Sequence, residues 1–285
     1  MDIFVQQVAN GLMLGSTYAL IALGLTLIYG IMHIPNFALS HQGTVAGYVV
    51  LFCMVSLGIN YWIAILISIV ASVILGVAAE RGVFYPLRNG PHVNYFIAAL
   101  ALMMVLENGM LIVAGGNPQQ MESGYGKVVD ILGFTTTIQR ILVITIGAFL
   151  LAACYVLVKK AKYGIAIAAT AQDVAGAQLV GINASRINMM TFAIGSALAG
   201  IAIALIAPIY QITPTMGHEQ IGKAFVVVIL GGMGSIPGAM LGGYLLGMLE
   251  SMGAGYVSSH FADVFAYLAC VIFLFFKPQG FFGDK

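Results

Sequence analysis

The chain has 285 residues, of which 7% are charged and 61% are hydrophobic, and its formal net charge is +1. Soluble domains carry about 25% charged residues, so this composition excludes a soluble globular protein. The absence of a basic stripe in the sequence argues against binding nucleic acid. Long uninterrupted apolar runs exclude an outer-membrane β-barrel, whose strands alternate apolar and polar residues. We therefore predict an all-α, polytopic transmembrane protein.

The first 79 residues set the pattern for the chain. No Asp, Glu, Lys or Arg occurs from Ile3 to Ala79, which is room for three membrane spans of about 20 residues each. The N-terminus lacks the basic region of a cleaved signal peptide, so we expect the first span to be retained. Three cysteines lie singly in apolar segments, with no spacing typical of zinc or disulfides. They are Cys53, Cys154 and Cys270.

Nine spans are predicted within a single transmembrane domain of residues 1–285. They lie near residues 4–31, 40–57, 61–79, 93–114, 140–158, 189–208, 221–234, 237–252 and 257–276. Eight spans is the alternative if residues 32–57 form a re-entrant segment. These predictions rest on hydropathy and length.

Basic residues predict the orientation, because cytoplasmic loops of membrane proteins are enriched in Lys and Arg. Eight of the eleven basic residues fall in two loops and the tail. They are Arg81, Arg88, Lys159, Lys160, Lys162, Arg186, Lys277 and Lys285. We therefore expect a cytoplasmic C-terminus, an external N-terminus and one main external loop over residues 115–139.

An internal repeat relates the two halves of the chain. Ungapped alignment of residues 19–50 with 197–228 gives ten identical pairs. The aligned spans run in opposite directions in the predicted topology, so the halves, roughly 1–160 and 189–285, form an inverted repeat. Polar or proline-containing stretches interrupt both copies, at 30–43 and 207–222. Corresponding interruptions of this kind indicate a substrate path in transporters.

Polar residues in and near these interruptions are the candidates for a path or gate. The set comprises Asn36, Ser40, His41, Glu107, Gln211, Thr213 and Thr215. Asn36 and Ser40 are equally suited to capping helices. Glu107 lies within a span, where a charge costs at least about 2.5 kcal/mol, so it needs a partner. A structural hydrogen-bonded role and a path-lining role both remain open for it.

Other polar residues suggest chemistry only weakly. His33, His41 and His218 lie near the interruptions, but a metal site needs convergent ligands, and the sequence does not predict convergence. Ser40 and His41 are adjacent and would point about 100° apart on a helix, which argues against a nucleophile and its base. We predict no catalytic residue and no metal. Lys223 and Glu250 lie near predicted span ends, where we expect them to snorkel.

The segment 159–188 is too polar to span a membrane and too regular for a tether. It predicts a short surface helix that ends at Gly181. Such a helix packs either on the protein's own span ends or on a cytoplasmic ATPase. The residues we assign to ATPase coupling are Gln172, Asp173, Gln178, Leu179 and Gly181.

The stretch GGMGSIPG at 231–238 looks at first like a phosphate-binding loop. Its third glycine position holds Pro237, and no Lys-Ser or Lys-Thr pair follows. Gly231, Gly232 and Gly234 instead predict close helix packing and a turn, and Pro237 suits the first turn of the next helix. We expect Gly238, with Gly242 and Gly243, to form a small-residue face that packs on a second subunit.

Four segments together resemble the permease subunits of ABC importers for branched-chain amino acids and related amides. They are NGLMLGSTYALIALGLTLIYGIMHIPNFA at 10–38, ERGVFYPLR at 80–88, YGIAIAATAQDVAGAQLVGIN at 163–183, and KAFVVVILGGMGSIPGAMLGGYLLG at 223–247, with KPQGFFG at 277–283. The resemblance implies a second, often non-identical, permease subunit, two cytoplasmic ATPases that hydrolyse the ATP, and a solute-binding protein. It implies no cofactor and no enzymatic activity for the permease itself, and a location in the bacterial inner membrane.

Departures from the family pattern leave the substrate open. The family usually has His-Gly after Asn-Phe-Ala, where this chain has Leu39 and Ser40. Branched-chain amino acids are the leading expectation, and urea, short amides and small organic acids are the alternatives. Outside the family, a stand-alone secondary transporter or channel that uses Glu107 is the main rival, and an intramembrane enzyme is a weaker one.

Overall fold

The computed structural model describes residues 2–33, 35–88, 90–131 and 134–282, so Lys285 lies outside the described residues. Twelve α-helices cover most of these ranges. They are α1 (Asp2–Met32), α2 (Ala38–Val55), α3 (Tyr61–Ala79), α4 (Tyr85–Leu87), α5 (His92–Ala114), α6 (Ile138–Lys160), α7 (Lys162–Gln172), α8 (Val174–Leu179), α9 (Ala184–Ile206), α10 (Met216–Gly231), α11 (Ile236–Tyr256) and α12 (Ala262–Phe276). A π-helical turn (Glu80–Phe84) joins α3 to α4, and a 3₁₀ turn (Ser259–Phe261) precedes α12.

The all-α transmembrane fold predicted from the sequence is confirmed, and each predicted span coincides with a helix. Within the described residues, five helices are long and apolar enough to cross a membrane, and two shorter ones are also apolar. The long ones are Ile3–Met32, Tyr61–Leu87, His92–Ala114, Ile138–Lys160 and Ala184–Ile206, and the shorter ones are Leu39–Val55 and Ala262–Phe276. The count of nine or eight spans stays a prediction.

One small β-hairpin lies in the predicted external loop. Strand β1 (Val128–Ile131) pairs antiparallel with β2 (Phe134–Thr137), and Val128 is opposite Thr137. These strands were not predicted from the sequence. The hairpin leads directly into α6, whose Gln139 is buried against α3 and α9 through hydrogen bonds to Tyr61 and Leu205.

Helix α1 is the centre of the core, and small residues let its neighbours approach closely. A Cβ at Gly243 of α11 would lie 2.6 Å from atoms of Ala19, and one at Gly242 would lie 2.9 Å from the Val227 carbonyl oxygen. Gly238 faces Gly231 of α10. These glycines therefore pack within the chain. The expectation that Gly238, Gly242 and Gly243 face a second subunit was wrong, because α1 and α10 already occupy that face.

The helix directions are those of an inverted repeat. Helices α1 and α9 cross at Gly24 and Gly195, and Ile31 packs on Ile187, so the two helices run antiparallel. Helix α2 runs parallel to α9, since Gln42 bonds to Ser196 and a Cβ at Gly47 would touch Ile203. Helix α11 is antiparallel to α1 and to α10, which makes α10 antiparallel to α2. Both pairs of repeated helices are thus inverted.

The described basic residues of the two loops and the tail gather at one end of the bundle. Arg81 donates from Nη2 to Met189 Sδ at 3.6 Å, near the start of α9. Ile167 of α7 packs on Ile31 and Ile187 at the same end. The tail reaches this end as well, because the Phe281 N–H donates to the Leu230 carbonyl at 2.8 Å. The hairpin lies at the opposite end, together with residues 207–215, the non-helical part of the interruption predicted at 207–222.

Candidate translocation site

The first turns of α2 and α10, which lie within the two interruptions predicted at 30–43 and 207–222, meet inside the fold. The rings of His41 and His218 lie 4.9 Å apart between centroids and nearly perpendicular, at 86°. Gly217 makes this approach possible, because a Cβ there would lie 2.8–2.9 Å from atoms of the His41 ring. The two interruptions are therefore joined by direct contact between the helices that begin within them.

Glu107 of α5 completes this cluster. Its Oε2 lies 2.6 Å from His218 Nε2 and 3.7 Å from His41 Nε2. The side chains are 1% (His41), 15% (Glu107) and 47% (His218) exposed, so the carboxylate is largely shielded. This supplies the partner that a carboxylate within a span requires. We call these three residues the His–Glu–His cluster.

This convergence of three side chains was not predicted from the sequence. His41, Glu107 and His218 belong to three helices that are far apart in the chain, and only the packing of α5 on α2 brings the carboxylate to the histidines. The repeat gave a partial signal, because the interruptions that it relates contain His41 and His218. His33, the third histidine considered, lies at the end of α1 with a φ of 55° and is exposed.

Asn36 and Ser40 lie at the start of α2 and differ in their bonding. The Asn36 side chain accepts a hydrogen bond from the Ala38 N–H at 3.1 Å, which satisfies one of the free donors of the first turn. Ser40 is fully buried, and its hydroxyl has no hydrogen-bond partner among the described residues. Asn36 thus performs the capping role, whereas the hydroxyl group of Ser40 is buried without a hydrogen-bond partner among the described residues.

The second interruption borders a cavity of about 300 Å³. Gln211 and Thr213 line it, whereas Thr215 only lies 3.3 Å from Thr213 between hydroxyl oxygens. A short antiparallel bridge between Gln119 and Ile212 ties this interruption to the loop after α5. The residues that line the cavity do not include Asn36, Ser40, His41 or Glu107. The predicted path residues therefore fall into two groups.

A buried ion pair closes one side of the same cavity. Lys223 Nζ lies 2.7 Å from Glu250 Oε1, 3.0 Å from Asp263 Oδ1 and 3.0 Å from the Tyr18 hydroxyl. The expectation that Lys223 and Glu250 snorkel was wrong. Helix α10 begins at Met216, earlier than predicted, so Lys223 lies in its middle and meets Glu250 inside the bundle.

The predicted coupling segment folds as two helices rather than the single helix expected. Asp173 separates α7 from α8 and caps α8 by accepting from the Ala175 N–H at 2.9 Å. Gly181 ends α8 with a φ of 86°, where its N–H donates to Gln178 and that of Ile182 donates to Ala177. This pair of bonds is the Schellman motif. Position 181 thus requires glycine, because the backbone there adopts a left-handed conformation that other residues rarely adopt.

The outer surface of this segment is apolar as well as polar. Leu179 is 89% exposed and Val180 is 76% exposed, beside the exposed polar residues Gln172 and Gln178. They lie at the basic end of the bundle. A cavity of about 490 Å³ lies between this segment and the helix ends, lined by Gln178, Arg88 and others. We call Leu179 and Val180 the apolar tip.

The glycine-rich stretch forms the turn between α10 and α11. Gly232 and Gly234 adopt φ values of 93° and 87°, which residues other than glycine rarely adopt. Ser235 caps α11 by accepting from the Gly238 N–H at 3.2 Å, and Pro237 lies in the first turn. Two apolar helices, α10 and α11, flank this turn. A dinucleotide site instead needs a strand before the glycine-rich loop and a helix after it.

Comparison of the sequence with known proteins identifies a family. The family described as "Branched-chain amino acid transport system / permease component" matches residues 7–276. The chain is 33% identical to the high-affinity branched-chain amino acid transport system permease protein LivH of Escherichia coli, covering 98% of this chain and 96% of that one. It is equally similar, at 33% and the same coverage, to the permease protein BraD of Pseudomonas aeruginosa.

A solved structure, "PsaBC from Streptococcus pneumoniae in complex with Fab", shares the fold. The TM-score is 0.53 with 13% identity, over 96% of this chain and 90% of that one. The matching family consists of transport components and is not an enzyme family. The family match and the full-length relatives lead to one conclusion: this multi-pass membrane protein belongs to the family of branched-chain amino acid transport permeases.

Proposed function

We propose that the chain is the permease subunit of an ATP-driven importer of branched-chain or related small amino acids. The match of residues 7–276 to the permease family carries this proposal. In the assembled importer the chain pairs with a second permease subunit, often a non-identical sister. Two ATP-binding subunits dock from the cytoplasm, and a solute-binding protein delivers the amino acid. The importer lies in the bacterial inner membrane, with the basic end and the C-terminus in the cytoplasm.

The apolar tip supports the docking of an ATPase. Leu179 and Val180 expose large apolar side chains at the basic end, where no lipid tail would cover them in this orientation. Exposed apolar groups outside the membrane are typical of protein contacts. Asp173 and Gly181 hold the short helix α8 in place at its two ends. An ATPase groove that receives this tip would move α8 when the ATPases close.

The packing of α7 suggests how this movement reaches the path. Ile167 of α7 is buried against Ile31, at the end of α1, and Ile187, at the start of α9. Each of these two helices leads into one of the interruptions. Movement of α7 and α8 would therefore shift both broken elements together, which is the alternating-access mechanism that inverted repeats support.

The two groups of polar residues divide the path. Gln211 and Thr213 line the cavity of about 300 Å³ at the external end, a size that suits a small solute. Deeper in the fold, Asn36, Ser40, His41 and Glu107, with Thr215 at the start of α10, form the gate. Polar and charged side chains also line the cavity, among them Glu219, Lys223 and Glu250.

Transport in proteoliposomes tests the proposal. The complete importer is reconstituted with its binding protein, and uptake of radiolabelled leucine is measured with and without ATP on the ATPase side. We expect uptake only with ATP, and the same rate after an ionophore collapses ion gradients. Competition by excess isoleucine or valine, but not by urea or acetamide, is the result expected of an amino-acid importer. Uptake by this chain alone, driven by an ion gradient, would refute the proposal in favour of a secondary transporter.

The coupling role has its own test. Leu179→Asp replaces the most exposed apolar side chain of the tip by a charge, and we expect it to abolish solute-stimulated ATPase activity. The control is Val128→Asp, which makes the same change at a residue that is 67% exposed at the opposite end. Because both residues are exposed, both variants should fold and assemble normally. Equal stimulated activity in the two variants would show that α8 does not couple to the ATPase.

A further inference from the structure

We propose that the His–Glu–His cluster binds one divalent transition-metal cation of the zinc class. The site is distinct from the solute cavity, since none of its three residues lines that cavity. It goes beyond the transport function, because permeation of an amino acid requires no metal.

The spacing of the donor atoms supports a metal. One nitrogen from each histidine and one oxygen of Glu107 lie within 4.8 Å of one another. Tetrahedral zinc with bonds of 2.0–2.1 Å separates its ligands by about 3.3 Å. The 3.7 Å between His41 Nε2 and Glu107 Oε2 is close to that value. The 2.6 Å between His218 Nε2 and Glu107 must widen, and His218 is exposed enough to move.

His41 gives an independent reason. Its side chain is 1% exposed, and its Nε2 faces Glu107 but has no hydrogen-bond partner among the described residues. A buried polar atom without a partner costs about 1–3 kcal/mol, so native structures rarely contain one. A cation between His41, His218 and Glu107 would engage this nitrogen directly.

The donor set selects the class of metal. Two neutral imidazole nitrogens and one carboxylate oxygen suit zinc, cobalt and nickel, whereas magnesium and calcium require mostly oxygen ligands. Three protein ligands leave a fourth position for water, which the half-exposed side of His218 keeps accessible. The ligands come from α2, α5 and α10, so a bound cation would crosslink helices that are far apart in the chain.

Metal titration of the purified full-length chain, without a polyhistidine tag and after chelator treatment, tests the site. Cobalt serves as the probe, because cobalt bound in a tetrahedral site absorbs visible light far more strongly than the hexahydrated ion does. We expect one cobalt per chain, displacement by zinc but not by magnesium, and a metal-dependent rise in the thermal unfolding temperature. Glu107→Gln and His218→Ala should weaken binding at least about tenfold and abolish that rise.

The control is His92→Ala, which removes an exposed histidine away from the cluster and should bind cobalt as the wild type does. His218 and Glu107 are preferred to His41 for substitution, because removal of the fully buried ring risks misfolding. Elution of both variants as single species on size exclusion establishes that they are folded. No saturable cobalt binding in the wild type, unchanged binding in both cluster variants, or equal loss in His92→Ala would overturn the proposal.

Discussion

The buried ion pair of Lys223 and Glu250 gives the sharpest test of the packing. The three N–H groups of Lys223 have three acceptors: the Glu250 carboxylate at 2.7 Å, Asp263 at 3.0 Å and the Tyr18 hydroxyl at 3.0 Å. Lys223→Met keeps the length of the side chain and removes its charge. Among the described residues, Glu250 would then retain only the hydrogen bond from Tyr18, at 3.1 Å.

The expected loss of stability in Lys223→Met follows from the burial of Lys223 and Glu250. Lys223 and Glu250 are 10% and 12% exposed, so water cannot solvate the carboxylate left behind, whereas Asp263 is 56% exposed and loses little. Removal of one partner of a buried ion pair costs about 3–5 kcal/mol, which is roughly 10²- to 10⁴-fold in the unfolding equilibrium. Glu250→Gln should lower the free energy of unfolding by less, because the Lys223 ammonium group keeps its ion pair with Asp263. The double variant should recover most of the stability, since replacing both charges is often neutral.

Unfolding titration in mixed micelles, followed by tryptophan fluorescence and circular dichroism, measures these differences. The control is Lys127→Met, an exposed lysine whose removal should change the free energy of unfolding by less than about 0.5 kcal/mol. A free energy of unfolding for Lys223→Met equal to that of this control would show that the ion pair does not stabilise the fold. Additive costs of the two single variants in the double variant would show that the two side chains are not coupled.

The same titration checks two further features of the packing. Gly243→Ala should destabilise the protein by about 1–3 kcal/mol, because the added methyl group would overlap α1. Gly222→Ala should instead stabilise it by up to about 1 kcal/mol, because a Cβ at Gly222 would have no atom of the described residues within 4 Å. Equal effects at the two glycines would contradict the tight packing of α11 on α1. Gln139→Leu should cost about 1–3 kcal/mol, since Leu205 loses its donor at 2.8 Å and Tyr61 its partner at 2.7 Å. A neutral result would show that Gln139 does not anchor α6.

Much of the fold was predictable because helix formation in a membrane is a local property. Within lipid every backbone polar group must bond inside its own helix, so a long apolar run forms a span wherever the rest of the chain lies. This is why helices appear at each predicted span. The β-hairpin was missed because its strands, such as Val128–Ile131, are only four residues long and carry no clear alternation.

Short-range signals also predicted the ends of α8 and α11. Gly181 and Pro237 act on their own turn of backbone, so their roles follow from the residue type and the neighbouring positions. The break at Asp173 was missed, since an Ala-rich segment favours one continuous helix. The cap that Asp173 forms on α8 shows that a side chain can compete with helix propensity.

Composition and matching along the chain were enough to predict the membrane class, the helices, the inverted repeat and the family. Which polar groups meet became visible only in the packing of the helices. The partner of Glu107 proved to be His218, the partner of Lys223 proved to be Glu250, and Gly243 faces α1. A charge or a polar atom finds its partner through space. The helices that bring these partners together are separated by long stretches of chain, and no local pattern records their contact.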